Sequence, residues 1–306
     1  MLCNNLFIWL HNNLHKMLCI LVNTIQYDIL GGVIMATEHA PVTITISMLK
    51  GGVGKTDIAF NFAMWLAIEK NHKVLAIDLD ENCNFSQVLN VYSQQGTVAN
   101  ILKSTGDVEI HKINENIDLI AGFNRLHDVQ EDMATKENKA MKLYMWLVDN
   151  YDELNISQYD FIIIDTHNDF GTATKNAVAV SDVIFSPIIP LDFSDAMSMK
   201  VKFEEFRGEV IDFKTRESYI KADLKLIGNM IKHNTAISHD FSNYIKGNPD
   251  FVARFPFKEI FTKSIQEKKS ITELLSKTRN KKDREFKAEY DEQMEKLYIV
   301  AKRYEQ

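Results

Sequence analysis

A glycine-rich stretch with two lysines is the strongest candidate for chemistry in this 306-residue chain. Its seven residues are Lys50, Gly51, Gly52, Val53, Gly54, Lys55 and Thr56. Glycines let the backbone curl so that successive N–H groups point at phosphate oxygens, and a helix that begins at the threonine adds its positive end. The second lysine can reach the β- and γ-phosphates, and the threonine hydroxyl can bind Mg²⁺. The stretch therefore predicts a site for a nucleoside triphosphate with magnesium.

Two apolar runs further along the chain end in acids that complete such a site. Residues 74–80 end in Asp-Leu-Asp, and residues 159–165 carry four apolar residues before the last acid. With the period of two in a strand, Asp78 and Asp80 project to the same side, at the carboxyl end where parallel sheets bind ligands. Asp165 has the form in which a buried strand delivers one carboxylate towards the Mg²⁺ shell. We therefore expect the three acids to face the loop.

The elements that must position these residues alternate between strands and helices. Short apolar runs predict strands at 42–47, 74–78, 117–120, 161–165, 183–189 and 224–229, and helical spacing predicts helices at 56–69 and 141–148. Near-continuous β-branched runs separated by helices indicate an α/β fold, a mostly parallel twisted sheet with helices on both faces. We expect one domain over residues 35–306, with a helical carboxyl-terminal end from about residue 264.

The loop and the acids together resemble the ParA/MinD superfamily of deviant Walker A P-loop ATPases, and within it the ParA-type partition ATPases. The resemblance is strong over these motifs and weak elsewhere in residues 42–275. It implies ATP and Mg²⁺ as cofactors, with Lys55 on the phosphates. It implies that Lys50 acts across a homodimer on the nucleotide of the partner subunit. It further implies that Asp80 positions or activates the attacking water, and that Asp78 supports the Mg²⁺ environment set by Thr56 and Asp165.

Some positions depart from the family pattern or stay open. Asp57 stands where the family usually has a second threonine or serine, among the residues of the nucleotide site. A carboxylate there repels phosphate unless it turns away, pairs with a cation or serves the first turn of the helix. His167 stands in a segment where the family has two prolines, and we interpret it as a loop histidine. Asn229 either binds the adenine edge, as the resemblance implies, or caps a turn at a strand end.

Charge limits where nucleic acid can bind. The formal net charge is -7, so no global basic field attracts DNA, and any contact requires a local patch. The candidate residues for a DNA-binding patch are Lys277, Arg279, Lys281, Lys282 and Arg284. ParA proteins bind DNA without sequence preference through such patches, by phosphate contacts. A solvated helix face with interspersed acids is the alternative interpretation of the same run.

The resemblance implies a DNA partition ATPase. In such a protein ATP drives formation of a homodimer, the dimer binds non-specific DNA, and a ParB-like centromere-binding protein stimulates slow hydrolysis. We expect a cytoplasmic, nucleoid-associated location. The first alternative is a MinD-like membrane-associated positioning ATPase, against which the acids of the carboxyl-terminal helix argue, because an anionic membrane repels them. The second is a nucleotide-binding module that does not hydrolyse, which Asp57 keeps open.

The first 34 residues differ in composition from the rest, being rich in Leu, Ile, Asn and His and nearly free of charge. Met35 offers a second start, so one interpretation is an extension that is not native. Apolar residues at helical spacing allow a helix that faces a partner or a membrane instead, although the run lacks the roughly 18 unbroken apolar residues of a membrane span. The three cysteines form no C-x-x-C pair, which favours a reducing compartment.

Overall fold

A single eight-stranded sheet organises the part of the chain that the computed structural model describes, residues 40–191, 194–233 and 235–305. The strands are β1 (Val42–Ile46), β2 (Val74–Leu79), β3 (Ile110–Lys112), β4 (Ile117–Ile120), β5 (Phe161–Thr166), β6 (Val183–Ile188), β7 (Asp223–Ile231) and β8 (Phe251–Pro256). The interpretation of residues 1–34 lies outside the described residues.

The strands are ordered β3-β4-β2-β5-β1-β6-β7-β8. Neighbouring strands run parallel, except that β3 is antiparallel to β4. The register places Asp78 of β2 beside Asp165 of β5, and Asp165 beside Ile46 of β1. The carboxyl ends of the three strands that carry the candidate motifs therefore lie next to one another, and the predicted fold class is confirmed.

Helices connect the strands and cover both faces of the sheet. They are α1 (Lys55–Glu69), α2 (Asn84–Val88), α3 (Val98–Lys103), α4 (Leu126–Asp132), α5 (Lys142–Asp149), α6 (Thr172–Val180), α7 (Ser194–Glu209), α8 (Ala236–Lys246), α9 (Glu259–Glu267), α10 (Ile271–Leu275) and α11 (Lys281–Ala301). Short 3₁₀ turns occupy Lys139–Met141, Ile156–Gln158 and Lys302–Tyr304. Over the described ranges, no helix is both long enough and apolar enough to pass through a membrane.

The alternation of side chains along the central strands builds two apolar layers. On β5, Phe161 and Ile163 pack into the layer that α1, α10 and α11 cover, whereas Ile162 and Ile164 pack into the layer under α3 to α6. All four side chains are buried, and each contributes about 1.5–3 kcal/mol when removed from water. Because both faces are covered, the central strands are apolar at nearly every position, which explains why the sequence revealed them.

The sequence did not reveal two strands and part of the carboxyl-terminal helical region. β3 has three residues and partly exposed side chains, and β8 is a half-exposed strand at the opposite edge that ends at Pro256. An edge strand tolerates proline and lacks a continuous apolar run, so the signal is weak. The predicted helical end is present, but its first helix begins at Glu259 rather than near residue 264.

Helix α11 packs on the face of the sheet that α1 also covers. Near its start, the Lys258 ammonium lies 4.2 Å from the ring centroid of Phe286, just beyond the carboxyl end of β8. Near its end, the hydroxyl of Tyr298 lies 2.9 Å from Nε2 of His72, and the Tyr298 ring centroid lies 6.0 Å from that of Phe161, at the start of β5. The start of α11 therefore packs beside the carboxyl end of β8, and its end packs beside the start of β5.

Candidate nucleotide-binding site

The glycine-rich stretch forms a tight loop between β1 and α1. Gly52 and Gly54 have φ angles of 71° and 86°, in the left-handed region that favours glycine. A Cβ atom at residue 54 would lie 2.6 Å from Nδ2 of Asn229, so the position also requires glycine for lack of space. The same Nδ2 donates to the carbonyl oxygen of Val53 at 2.8 Å. The amide of Asn229 thus supports the loop, and its contact with adenine stays a prediction.

Lys55 is a nearly buried cation at the first position of α1, with 8% of its surface exposed. Burial lowers the pKa of Lys55, because it disfavours the charged ammonium. The negative charges of Asp165, Asp80 and Asp169 act in the opposite direction. The structure therefore brings the predicted phosphate-binding lysine and two of the predicted acids together.

Thr56 and Asp165 are joined directly. The threonine hydroxyl donates to Oδ2 of Asp165 at 2.6 Å. The other carboxylate oxygen, Oδ1, is buried and accepts no hydrogen bond from the described part of the chain. Burial raises the pKa of Asp165 well above its usual range, and the charge of Asp78 raises it further. A buried carboxylate with an unpaired oxygen is costly, so this corner of the site favours a cation.

Asp78 is fully buried and anchored by its neighbours. Its Oδ2 accepts hydrogen bonds from the amide and the hydroxyl of Ser86, at 2.8 and 2.7 Å, and Oδ1 accepts from the amide of Asp80 at 3.1 Å. Burial raises the pKa of Asp78 to about 6. These bonds tie the end of β2 to α2, so Asp78 lies behind the site. Its predicted support of the magnesium environment stays a prediction.

The donor set at this edge fits Mg²⁺. The Thr56 hydroxyl and the unpaired oxygen of Asp165 are hard oxygen ligands, and Mg²⁺ is usually held by one or two protein ligands together with water and phosphate oxygens. The described ranges contain no group of three or more His, Cys, Asp or Glu side chains arranged to hold an ion. The site therefore fits an ion that arrives with a triphosphate. When bound, such an ion would neutralise phosphate charge.

Asp80 is held by two segments of the chain. Its Oδ1 accepts hydrogen bonds from the amide and the side chain of Asn82, both at 2.9 Å. Nδ1 of His167 lies 2.9 Å from the same oxygen. His167 is a loop histidine, as interpreted, because it follows the end of β5, and this loop places its ring against Asp80. The register of β2 and β5, which pairs Leu79 with Thr166, brings the next residues together, and the sequence alone could not show that these strands are neighbours.

Lys50 lies at the outer side of the loop with 38% of its side chain exposed. Its ammonium lies 3.0 Å from Oδ2 of Asp195, near the start of α7 in the same chain. The sequence analysis did not identify Asp195, because nothing in the motifs links α7 to the loop. The action of Lys50 on a partner's nucleotide stays a prediction.

Asp57 lies in the first turn of α1, against the loop. Burial raises the pKa of Asp57 to about 6. A Cβ atom at Gly54 would lie 3.6 Å from Oδ2 of Asp57, so this carboxyl group is close to the backbone of the glycine-rich loop. Its position makes it part of the candidate site, where it weakens rather than strengthens anion binding when it is charged.

The predicted DNA-binding residues form a separate group around the start of α11. All five side chains are exposed: Lys277, Arg279, Lys281, Lys282 and Arg284. Lys281 pairs with Glu285 at 3.8 Å. Asn280 caps the helix by accepting from the amide of Lys282 at 2.9 Å. The contacts described for these residues do not include the phosphate loop, and their binding to DNA stays a prediction.

A curled glycine loop that leads from a central parallel strand into a helix, with a buried lysine at the first helical position, is the nucleotide site of a P-loop NTPase. The acids at the end of β5, which is beside β1, and at the end of β2, the next strand beyond β5, complete it. The class of protein is therefore a P-loop nucleotide-binding protein of the α/β type.

Comparison with known proteins specifies the family. The profile of the family described as AAA domain matches residues 42–202, and the chain belongs to that family, within the superfamily of ParA-type P-loop ATPases. An uncharacterized protein of Methanocaldococcus jannaschii is 34% identical over 165 residues, which are 51% of this chain and 61% of that protein. The virulence plasmid ParA family protein pGP5-D of Chlamydia trachomatis is 29% identical over 55% of this chain and 63% of its own length.

The fold is also similar to solved structures. The Borrelia burgdorferi B31 protein BB_S35, which is assigned to plasmid partition and was crystallised with AMPPNP, superposes with a TM-score of 0.67 at 24% identity. The match covers 85% of this chain and 99% of that one, and at this identity it shows the fold alone. The chain spans less than two thirds of the length of the curated relatives described above.

Proposed function

We propose that this chain is an ATP hydrolase that drives the partition of DNA. The observation that carries the proposal is the meeting of Lys55, Thr56 and Asp165 at the loop, with one oxygen of Asp165 buried and unpaired. This arrangement supplies a cation for the phosphates, and a hydroxyl and a carboxylate for their magnesium ion. Membership of a P-loop ATPase family supports the same reaction.

Each residue of the site takes one role in the proposed reaction. The amides of the loop and Lys55 bind the β- and γ-phosphates, and Thr56 and Asp165 hold Mg²⁺. Asp80 orients the water molecule that attacks the γ-phosphorus. The bond between the γ-phosphorus and the β-phosphate breaks on the side opposite this water. Asp78 fixes the backbone of Asp80 through its amide.

Dimerisation completes the proposed site. Lys50 lies on the exposed side of the loop, where a second copy of the chain could bring its own nucleotide within reach. A lysine that arrives from the partner subunit adds positive charge to the phosphates as negative charge develops on them. To do so, Lys50 must leave Asp195, which holds it within the chain.

We propose that the protein binds DNA without sequence preference. Its proposed location is the cytoplasm, at the nucleoid. The five exposed basic residues around the start of α11 supply the phosphate contacts. A ParB-like centromere-binding protein is the proposed partner that stimulates hydrolysis. The virulence plasmid ParA family protein named above supports this assignment.

The test measures three properties of the full chain: MgATP affinity by calorimetry, mass by light scattering with ATP and with ADP, and phosphate release with and without plasmid DNA. We expect MgATP binding, a dimer with ATP only, and slow hydrolysis that DNA and the partner protein accelerate. Failure of the folded chain to bind MgATP, or a mass that is independent of the nucleotide, would contradict the proposal.

Lys50→Ala tests the dimer step. We expect the variant to bind MgATP with nearly unchanged affinity but to lose stimulated hydrolysis by about 10³-fold or more, as when a finger residue supplied in trans is removed. Lys136→Ala is the matched control, because Lys136 is also exposed but lies outside the loop. Stimulated hydrolysis that survives Lys50→Ala would refute the trans role.

A further inference from the structure

His167 contacts the acid that the proposed function assigns to the attacking water. It lies on the loop after β5, with 22% of its side chain exposed, and its Nδ1 is 2.9 Å from Oδ1 of Asp80. An ionised carboxylate can only accept hydrogen bonds, so Nδ1 carries the hydrogen in this contact. The histidine therefore acts as a donor to Asp80 from a neighbouring strand end.

The other donors to Asp80 come from its own turn. The amide and side chain of Asn82, two residues further on, both reach Oδ1. Within the described ranges, the hydrogen bonds to the Asp80 carboxylate all end on Oδ1. Oδ2 is left without a protein donor and can face a water molecule.

The two sets of donors restrain different motions. Asn82 belongs to the same turn as Asp80, whereas His167 directly follows β5, which also carries Asp165. Nε2 of His167 lies 3.8 Å from Oε1 of Glu81, so the ring stands between two carboxylates of the turn. The histidine thereby fixes the turn after β2 relative to the strand that holds the magnesium ligand.

We propose that His167 is a positioning residue for ATP hydrolysis, which holds the Asp80 carboxylate through Oδ1 so that Oδ2 is aimed at the attacking water. The inference rests on the proposed function, because it assigns a role within that reaction. It concerns a position at which this chain departs from the two prolines that the resemblance implies, and proline offers no donor to the carboxylate.

The test uses three variants of the full chain that differ in where a donor stands. Asparagine places its amide nitrogen close to the position of Nδ1, whereas glutamine places it close to that of Nε2, and alanine removes the donor. We expect His167→Ala and His167→Gln to lower the single-turnover rate of MgATP hydrolysis by about 10- to 100-fold, the usual cost of losing such an orienting partner. His167→Asn should stay within about threefold of the unchanged chain.

The affinity for MgATP separates positioning from damage to the fold. Because the polar contacts described for His167 are with Asp80 and Glu81, we expect all three variants to bind a fluorescent ATP analogue within about twofold of the unchanged chain. Equal rates in all variants would overturn the proposal. Equal losses in all three, asparagine included, would overturn it as well, because the position of the donor would then be irrelevant.

A measurement on the nucleotide-free chain provides a readout that does not depend on hydrolysis. In ¹⁵N spectra of histidine, we expect a hydrogen on Nδ1 of His167 in the unchanged chain and loss of that signature in Asp80→Ala. If the unchanged chain binds MgATP without hydrolysing it, the proposed function fails, and this measurement alone decides whether His167 holds Asp80. The same signature in both proteins would overturn the inference.

Discussion

Two charged regions of the molecule differ in how strongly the fold determines them. At the carboxyl ends of β1, β2 and β5, a buried lysine lies at a helix start near three acids, and the acids are held by bonds of 2.6 to 3.1 Å. Around the start of α11, five basic side chains are exposed to solvent. Charges in the first region must have a partner because they are buried, whereas charges in the second are stable in water alone.

The largest effect on the affinity for MgATP is expected at the buried Lys55. Lys55→Ala removes the cation that lies near Asp165 and Asp80 and that we propose to bind the phosphates. We expect the affinity for MgATP to fall by about 10- to 100-fold, because a charged hydrogen bond contributes about 1.5–3 kcal/mol. Calorimetry measures the affinity, and thermal unfolding monitored by circular dichroism shows whether the variant is folded. Unchanged affinity in folded Lys55→Ala would refute the assignment of the loop.

Substitutions in the exposed basic residues around the start of α11 should weaken binding to DNA and leave the affinity for MgATP unchanged. In the triple variant Lys281→Gln, Lys282→Gln, Arg284→Gln, we expect the affinity for non-specific DNA to fall by about tenfold at moderate salt. The slope of log K against log[salt] should become shallower by about one for each basic side chain that no longer binds a phosphate. Fluorescence anisotropy at several salt concentrations measures both. If the slope is unchanged, the group is only a solvated helix face.

Asp57 lies between the two extremes, because it is partly buried and faces the loop. Asp57→Thr replaces the carboxyl group with the side chain common in the family, and we expect MgATP to bind about fivefold more tightly once the repulsion is removed. Asp57→Asn, which removes the charge but nearly preserves the shape, should give a similar gain. Weaker binding in both variants would show that the carboxyl group assists the nucleotide.

The raised pKa of Asp57 also predicts a dependence of stability on pH. The folded chain holds this proton up to about pH 6, whereas the unfolded chain releases it near 3.8. The contribution of Asp57 to the free energy of unfolding is therefore highest below that lower pH and is lost as the pH rises to about 6. We expect Asp57→Asn to gain stability relative to the unchanged chain across this window. Denaturant unfolding at pH 4, 5, 6 and 7 measures the difference, and a constant difference would contradict the assignment.

The smallest effect is expected at the surface pair of Lys50 and Asp195, whose side chains are 38% and 20% exposed. Exposed ion pairs contribute about 0–1 kcal/mol, so Asp195→Asn should lower the concentration at which the ATP-bound dimer forms by less than about fivefold. The direction follows because Lys50 no longer has to leave an acid of its own chain. Light scattering over a dilution series measures the shift. Weaker dimerisation in this variant would show that Asp195 has a different role.

The parts of the site that lie on buried strands could be predicted from the sequence. Asp78, Asp80 and Asp165 follow apolar runs whose type and length define strands, and the loop has its own signature. The edge strands β3 and β8 could not be predicted, because half-exposed strands lack a continuous apolar run.

The contacts between elements that are distant in sequence could not be predicted either. His167 with Asp80, Lys50 with Asp195 and Asn229 with Val53 all depend on which strands are neighbours, and no local pattern encodes that order. Knowledge that β2 lies beside β5 would have been enough to find the histidine, since the register then places it next to the acid. The sequence therefore indicated which chemical groups form the candidate site more reliably than it indicated their contacts.

The position of β5 between β1 and β2 has a consequence for how the chain folds. Thr56 and Asp165 are 109 residues apart in the sequence, and Asp80 and His167 are 87 residues apart. Both contacts therefore form only after β5 has been inserted between β1 and β2. Until then, β1 and β2 each present an unpaired edge, which is prone to non-native association. A nascent chain that has not reached Phe161 cannot complete the site. Acquisition of ATP affinity during refolding would therefore report closure of the middle of the sheet.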